Sequence, residues 1–378
     1  MDRKALLKDV RKIVVKVGTS SITKEGYEVD SEFMDSVARQ VRALRDRGFE
    51  VIVVTSGAIG IGMDAMGGHP KPNEIPIRQA AASVGQSILM QKWNDSFSKV
   101  DLTIAQILLT YDFYSDRNHF LNLRNTMEVL LDHGVVPIVN ENDAICNKEI
   151  DAFFGDNDTL SSMVASKMES ELLIILSDVD GLFDRNPVLH KEEAKLIPTV
   201  RDITAELESY ARQSIRGKGV GGMRTKIEAA KNCLLSGCHM VIANHGVEDV
   251  VLRILDGEEI GTIFVAEGDV RRAKMRWILL SHASGSIVVD DGAKEALLRH
   301  MGLLPSGIVE VGGDFVAGDV VDIVNQGEVF AKGVVEYDVR DLHSVRGLRS
   351  DEIEHALGYC RRGTAVRAEN LALLDEKN

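Results

Sequence analysis

A chain of 378 residues with 44 Lys and Arg against 58 Asp and Glu carries a net charge of −14, which argues against a general nucleic-acid surface, since that needs a basic face. An apolar fraction of 44% supports one large core plus a smaller second domain, and the strongest apolar runs, such as residues 172–176, are too short to span a bilayer. Met1-Asp2-Arg3-Lys4 opens a mixed charged stretch rather than a secretory apolar segment, so the expected location is the cytoplasm; Cys146, Cys233, Cys238 and Cys360 form no CxxC or histidine cluster, so neither a zinc site nor a disulfide framework is expected.

The first predicted strand, Ile13-Val14-Val15-Lys16-Val17, delivers a lysine to the turn Gly18-Thr19-Ser20. Glycine lets backbone N–H groups approach a ligand closely, and the lysine adds a fixed charge, a pairing that suits phosphate. The plainer alternative is a strand whose lysine snorkels to solvent. Asp30 is a helix cap, and Phe33, Met34, Val37, Val41 and Leu44 recur at helical spacing up to Gly48. A second apolar strand over 51–55 ends in Ser56-Gly57-Ala58, and helix is expected over 77–97 and 117–132 with a strand over 103–109 between them.

The strand over 135–139 stops at Asn140-Glu141-Asn142-Asp143. Later strands over 172–176 and 240–242 stop at Ser177-Asp178 and near Asn244. Strands without polar alternation, separated by helices, indicate a mainly parallel open sheet covered on both faces, a three-layer αβα arrangement. In such sheets ligands bind beyond the carboxyl ends of the strands, so these polar turns form one candidate cleft.

Gly155-Asp156-Asn157-Asp158 precedes an apolar helical face of Leu160, Met163, Val164 and Met168. A plain N-cap accounts for one of its polar residues, not all three. Farther on, Gly217 to Lys226 is glycine-dense and runs into a helix. Gly217, Gly219 and Gly222 match GxGxxG, but the stretch before them reads as helix rather than strand, and no Walker pattern occurs. Asp178, Asp180 and Asp184 fail as a calcium loop because Leu189 stands where a bidentate glutamate is required.

Beyond a charged connector the pattern changes to short glycine-punctuated strands over 285–289, 307–311, 320–324 and 329–335, with one helix over 293–300. The expected division is a catalytic domain over 1–265, a linker over 266–276, a small β-rich barrel domain over 277–360 and a polar tail over 361–378.

Five motifs together, Val15-Lys16-Val17-Gly18-Thr19-Ser20, Val54-Thr55-Ser56-Gly57-Ala58, Val139-Asn140-Glu141-Asn142-Asp143, Gly155-Asp156-Asn157-Asp158 and Gly221-Gly222-Met223-Arg224-Thr225-Lys226, resemble the bacterial glutamate 5-kinase family, of the amino acid kinase fold. The C-terminal part resembles a PUA domain. The resemblance implies ATP-dependent phosphorylation of the L-glutamate side-chain carboxylate to L-glutamyl 5-phosphate, for proline synthesis. It implies that Lys16 and Lys226 flank the transferred phosphoryl group and that Asp158 holds both ammonium groups. It places Ser56, Asn140, Asp143, Asp156 and Asn157 around glutamate. Lys16, Gly18, Ser177, Asp178, Val220, Gly221, Gly222, Met223, Arg224, Thr225 and Lys226 fall around ATP. Mg2+ is expected to arrive with the nucleotide, with no protein metal site. The resemblance also implies a homo-oligomer, a tetramer, inhibited by proline. Arg224 departs from the family by replacing a small residue, and Ala152-Phe153-Phe154 is longer and more apolar than the pattern.

The chemistry is consistent with these residue types. A carboxylate acceptor is already ionised at neutral pH, so no general base is needed, and none of the 10 histidines falls in the motifs. The difficulty is anion meeting anion, which two lysines offset. The competing reading, an RNA-binding PUA protein, is disfavoured by 7 Lys and Arg against 14 Asp and Glu over residues 276–359, a net of −7. Within the kinase reading, the alternative is another carboxylate or nucleotide kinase of the same fold.

Overall fold

The computed structural model describes residues 2–24, 28–67, 74–110, 117–145, 157–185, 187, 189–190, 193–213, 222–267, 274–275, 278–279, 281–349, 351–359 and 363–374. The chain divides into two compact units, Met1–Val270 and Arg271–Asn378. Among the described residues, no helix is long and apolar enough to cross a membrane.

The first unit is built on an eight-stranded sheet. Its strands are β1 (Lys12–Val17), β2 (Glu50–Val54), β3 (Ile104–Leu109), β4 (Val136–Glu141), β5 (Leu172–Ser177), β6 (Thr199–Val200), β7 (His239–Asn244) and β8 (Thr262–Phe264), in the spatial order β3-β4-β2-β1-β5-β7-β8-β6. All neighbours are parallel except β7 and β8. Side chains of successive strand residues point to opposite faces, and both faces are buried here. Ile13, Val15, Val17, Val51 and Val53 enter one core cluster, whereas Val14, Ile52, Val54, Leu173 and Ile175 enter the other. That is why these strands read as unbroken apolar runs. Each fully buried valine, leucine or isoleucine stabilises the fold by about 1.5–3 kcal/mol.

This alternation also decides where Lys16 goes. It shares a face with Val14, and the helices Asn157–Lys167 and Met223–Leu235 pack on that face through Leu160, Val164, Ile227 and Ala230. On the opposite face, the helices Ala58–Ala65 and Ile75–Ser98 touch backbone to backbone. A Cβ added at Gly62 would lie 1.8 Å from the Ala81 carbonyl oxygen, and one at Gly85 would lie 1.8 Å from that of Ala58.

The short helix Arg3–Leu7 is fastened by its first side chain. Arg3, only 3% exposed, donates through Nη1 to the Ile260 carbonyl (2.6 Å) and through Nη2 to those of Pro198 (2.6 Å) and Gly261 (2.9 Å).

The second unit holds a five-stranded sheet of β9 (Gly285–Val289), β10 (Ile308–Gly313), β11 (Val320–Asn325), β12 (Glu328–Val335) and β13 (Val366–Leu373), ordered β10-β9-β11-β12-β13. Here one expectation fails. The predicted polar tail contains β13, which pairs antiparallel with β12 and buries Val366 and Leu371 in the core beside Ile323, Val335 and Tyr337. Its charged and amide residues, Arg367, Glu369 and Asn370, hide the strand pattern. Arg367 and Asn370 are themselves buried against Glu336, at 2.8 and 3.1 Å.

Candidate active site

Helix Asn157–Lys167 starts at the carboxyl ends of β1, β2 and β4, and its first two residues organise two adjoining clusters. Asp158 is fully buried. Its Oδ1 lies 2.6 Å from Lys16 Nζ, and its Oδ2 lies 2.9 Å from Lys226 Nζ, with the lysine side chains 8% and 7% exposed. Thr225 Oγ1 donates to the same Oδ2 at 3.1 Å. Burial alone would raise the Asp158 pKa, but the charges of Lys16 and Lys226 and their hydrogen bonds hold it down to about 2. The carboxylate is therefore ionised throughout the physiological range. Each ammonium has three N–H donors and gives one to the carboxylate, which holds both groups in place. The cluster carries one net positive charge beside the Gly18 turn, where an added Cβ would sit in ordinary contact with Lys16 Nζ, at 3.5 Å.

The second cluster is a chain of amides. Asn157 Nδ2 shares its two hydrogens among three acceptors, the Thr55 carbonyl (2.6 Å), Ser56 Oγ (2.7 Å) and Asn140 Oδ1 (3.0 Å). Asn140, 1% exposed, donates in turn from Nδ2 to Gln86 Oε1 at 2.8 Å, while its Oδ1 also accepts from the Glu141 backbone N–H. Thr55 is fixed from behind by Trp93, whose indole Nε1 donates to Thr55 Oγ1 at 3.0 Å. Beside this chain lies a cavity of about 230 Å3 lined by residues including Ala58, Ser83, Gln86, Glu141, Asn142 and Asp143. It is below the roughly 300–1,000 Å3 of drug-sized sites and suits a ligand as small as an amino acid.

The structure thus brings together Lys16, Asp158, Thr225 and Lys226 in one group and Ser56, Asn140 and Asn157 in the other, with Asp143 on the neighbouring cavity wall. Ser177 and Asp178 lie at the end of β5, next to β1, where Ser177 Oγ donates to Asp178 Oδ1 at 3.1 Å. Gly222 and Arg224 are exposed and Met223 is half-buried at the start of the helix Met223–Leu235. Asp156, Val220 and Gly221, like Ala152-Phe153-Phe154, lie outside the described residues. The capping alternative for Asn157 and Asp158 does not hold, because both side chains reach other elements. Gln86 escaped the sequence reading: it follows Gly85 inside a long helix, and nothing local marks it.

Residues 11–244 match the amino acid kinase family and residues 285–357 the PUA domain. The chain is 54% identical to a glutamate 5-kinase of Methanosarcina mazei, with 100% of each chain covered, and 51% identical to that of Methanococcoides burtonii, covering 98% of this chain and 99% of the other. It is 42% identical to that of Caldanaerobacter subterraneus subsp. tengcongensis, covering 96% and 98%. In fold, it resembles a carbamate kinase from Giardia lamblia bound to AMP-PNP (TM-score 0.50, 13% identity, 68% of this chain and 99% of that one). The expected bacterial affiliation is too narrow, because the relatives at 54% are archaeal. The chain belongs to the glutamate 5-kinases of the amino acid kinase family and carries a PUA domain in its C-terminal unit.

Proposed function

We propose that the protein transfers the γ-phosphoryl group of ATP to the side-chain carboxylate of L-glutamate, forming L-glutamyl 5-phosphate for proline synthesis. The observation that carries this reading is the buried Lys16–Asp158–Lys226 cluster adjoining the Ser56–Asn140–Asn157 chain, whose Gln86 end lines a cavity of amino-acid size. In the reaction a carboxylate oxygen forms the new P–O bond, the bond to the β,γ-bridging oxygen breaks, and ADP leaves with that electron pair. No proton has to move, which accords with a site built from lysines and amides. Lys16 and Lys226 face charge that spreads over the equatorial and bridging oxygens in the transition state. Asp158 keeps them apart and oriented.

Ser56, Asn140, Asp143, Asp156 and Asn157 hold the amino-acid end of glutamate. Both hydrogens of Asn157 Nδ2 are taken up among three protein acceptors, so its Oδ1 is the atom left for the substrate's α-ammonium group. Gly18, Ser177, Asp178 and the segment Val220, Gly221, Gly222, Met223, Arg224 and Thr225 border the nucleotide. Asp158 is taken up by two lysines, so the cluster suits phosphate rather than a bare metal ion, and Mg2+ is carried in with ATP, where it adds positive charge. Trapping the acyl phosphate as a hydroxamate, over a panel of glutamate, aspartate, acetylglutamate and carbamate, tests the reading. Turnover of another acceptor with none of glutamate overturns it. L-Proline shares the α-carboxylate and amino group and competes with glutamate for this cavity in an oligomeric, tetrameric enzyme; inhibition that saturating glutamate leaves unchanged would exclude a shared pocket.

A further inference from the structure

We propose that Gln86 is a positioning residue for the acceptor's ammonium end, acting through Asn140 on Asn157; the proposal rests on the glutamate reading above. The oxygen and nitrogen of an amide are nearly the same size, so only its neighbours' polarity decides which way it points. The Thr55 carbonyl can only accept, which holds Asn157 Nδ2 toward it at 2.6 Å. The Glu141 backbone N–H can only donate, which holds Asn140 Oδ1 toward it at 2.9 Å. Between these fixed ends, Asn140 Oδ1 meets Asn157 Nδ2 at 3.0 Å, and Asn140 Nδ2 needs an acceptor on its other side. Gln86 Oε1 is that acceptor, at 2.8 Å.

Gln86 itself is poorly explained by stability. Among the described residues, its Nε2 is buried with no hydrogen-bond partner, an unfavourable arrangement that a methionine of similar volume would avoid. It stands on the wall of the cavity with Asp143, one turn along the helix from Ser83. Its use is therefore in holding Asn140, and through it Asn157, in the orientation that the Glu141 N–H and the Thr55 carbonyl select. With Gln86 in place, Asn157 presents an acceptor toward the substrate and matches an ammonium group. Without it, Asn140 Nδ2 has no acceptor and the side chain is held by the Glu141 N–H alone, so the Oδ1 that anchors Asn157 is less firmly placed.

The test is steady-state kinetics of the full-length protein and its Gln86→Met and Gln86→Glu variants, with glutarate as a competitive probe that keeps both carboxylates and lacks the ammonium group. Gln86→Met is expected to raise the glutamate KM about 10-fold, the size expected from losing one hydrogen bond, with kcat and the ATP KM nearly unchanged. Glutarate inhibition should be the same in both backgrounds. Gln86→Glu retains an oxygen for Asn140 Nδ2 and should restore most of the affinity. An unchanged KM in Gln86→Met overturns the proposal, as does a glutarate Ki that rises in parallel with the glutamate KM, which would mean general loosening. Equal defects in both variants would instead place Nε2 on the ligand itself. Absence of glutamate turnover by the unmodified protein would remove the functional reading and the proposal with it.

Discussion

Moving Asp158 into the interior forfeits several kcal/mol of hydration, and its two lysines offset that loss only while all three charges stay together. Asp158→Asn leaves two ammonium groups, 8% and 7% exposed, without their counter-charge. Such a loss typically costs about 3–5 kcal/mol, while removing one preorganised electrostatic contact lowers kcat about 10²- to 10³-fold. The expected variant is thus slow and less stable, and Mg-ATP should raise its Tm more than it raises that of the unmodified protein, since phosphates replace the missing anion. Melting curves with and without nucleotide check this. Asn157→Ala and Asp143→Ala should instead raise the glutamate KM far more than they lower kcat. The same carboxylate sets a pH dependence. Its pKa falls from the ordinary 3.8 to about 2 on folding, so its contribution to stability is complete above about pH 4 and is lost as pH drops toward 2. Denaturant midpoints measured between pH 5 and pH 2 should fall more steeply for the unmodified protein than for Asp158→Asn.

Element by element, what the sequence revealed depended on how local the signal is. The helices over 31–46 and 117–132 and the inner strands β1, β2, β4, β5 and β7 were legible because burial on two faces writes continuous apolar runs, and helical spacing writes itself in the residues between. The grouping of Lys16 with Asp158 and Lys226 was legible only through family resemblance, since a contact spanning 68 residues leaves no local pattern. The two-residue β6 and three-residue β8 are too short to show a period, and β13 is masked by its own polar residues. The contact between helices Ala58–Ala65 and Ile75–Ser98 is likewise invisible in sequence, although it sets Gln86 beside Asn140. With a Cβ at Gly85 placed 1.8 Å from a backbone oxygen, Gly85→Ala must push the helices apart. Overpacking of this kind costs about 1–3 kcal/mol, and at roughly 2–4 °C per kcal/mol the Tm should fall by several degrees. The glutamate KM should rise with it, because the displaced helix carries Gln86. Calorimetry and initial rates on this one variant test both effects.

At the scale of the whole chain, each unit closes its own sheet and core. A chain ending at Ala266 should therefore fold and retain measurable kinase activity, whereas one ending at Gly358 should keep the first unit and lose the second, for want of β13. Limited proteolysis followed by mass spectrometry distinguishes the two outcomes, and insoluble protein from the shorter chain would contradict the first. The position of β1 has a consequence for biosynthesis. It is made first yet lies in the middle of the sheet, flanked by β2 on one side and by β5, translated much later, on the other. Arg3 waits longer still, for carbonyl partners of which the first lies 195 residues downstream and the others 255 to 258. At about 5–20 residues per second, the longer separations amount to roughly 13–50 s on the ribosome. Until β5 has been made, β1 keeps one edge of isoleucine and valine unpaired, so an adhesive strand edge is on show to the cell before Lys226 has been translated.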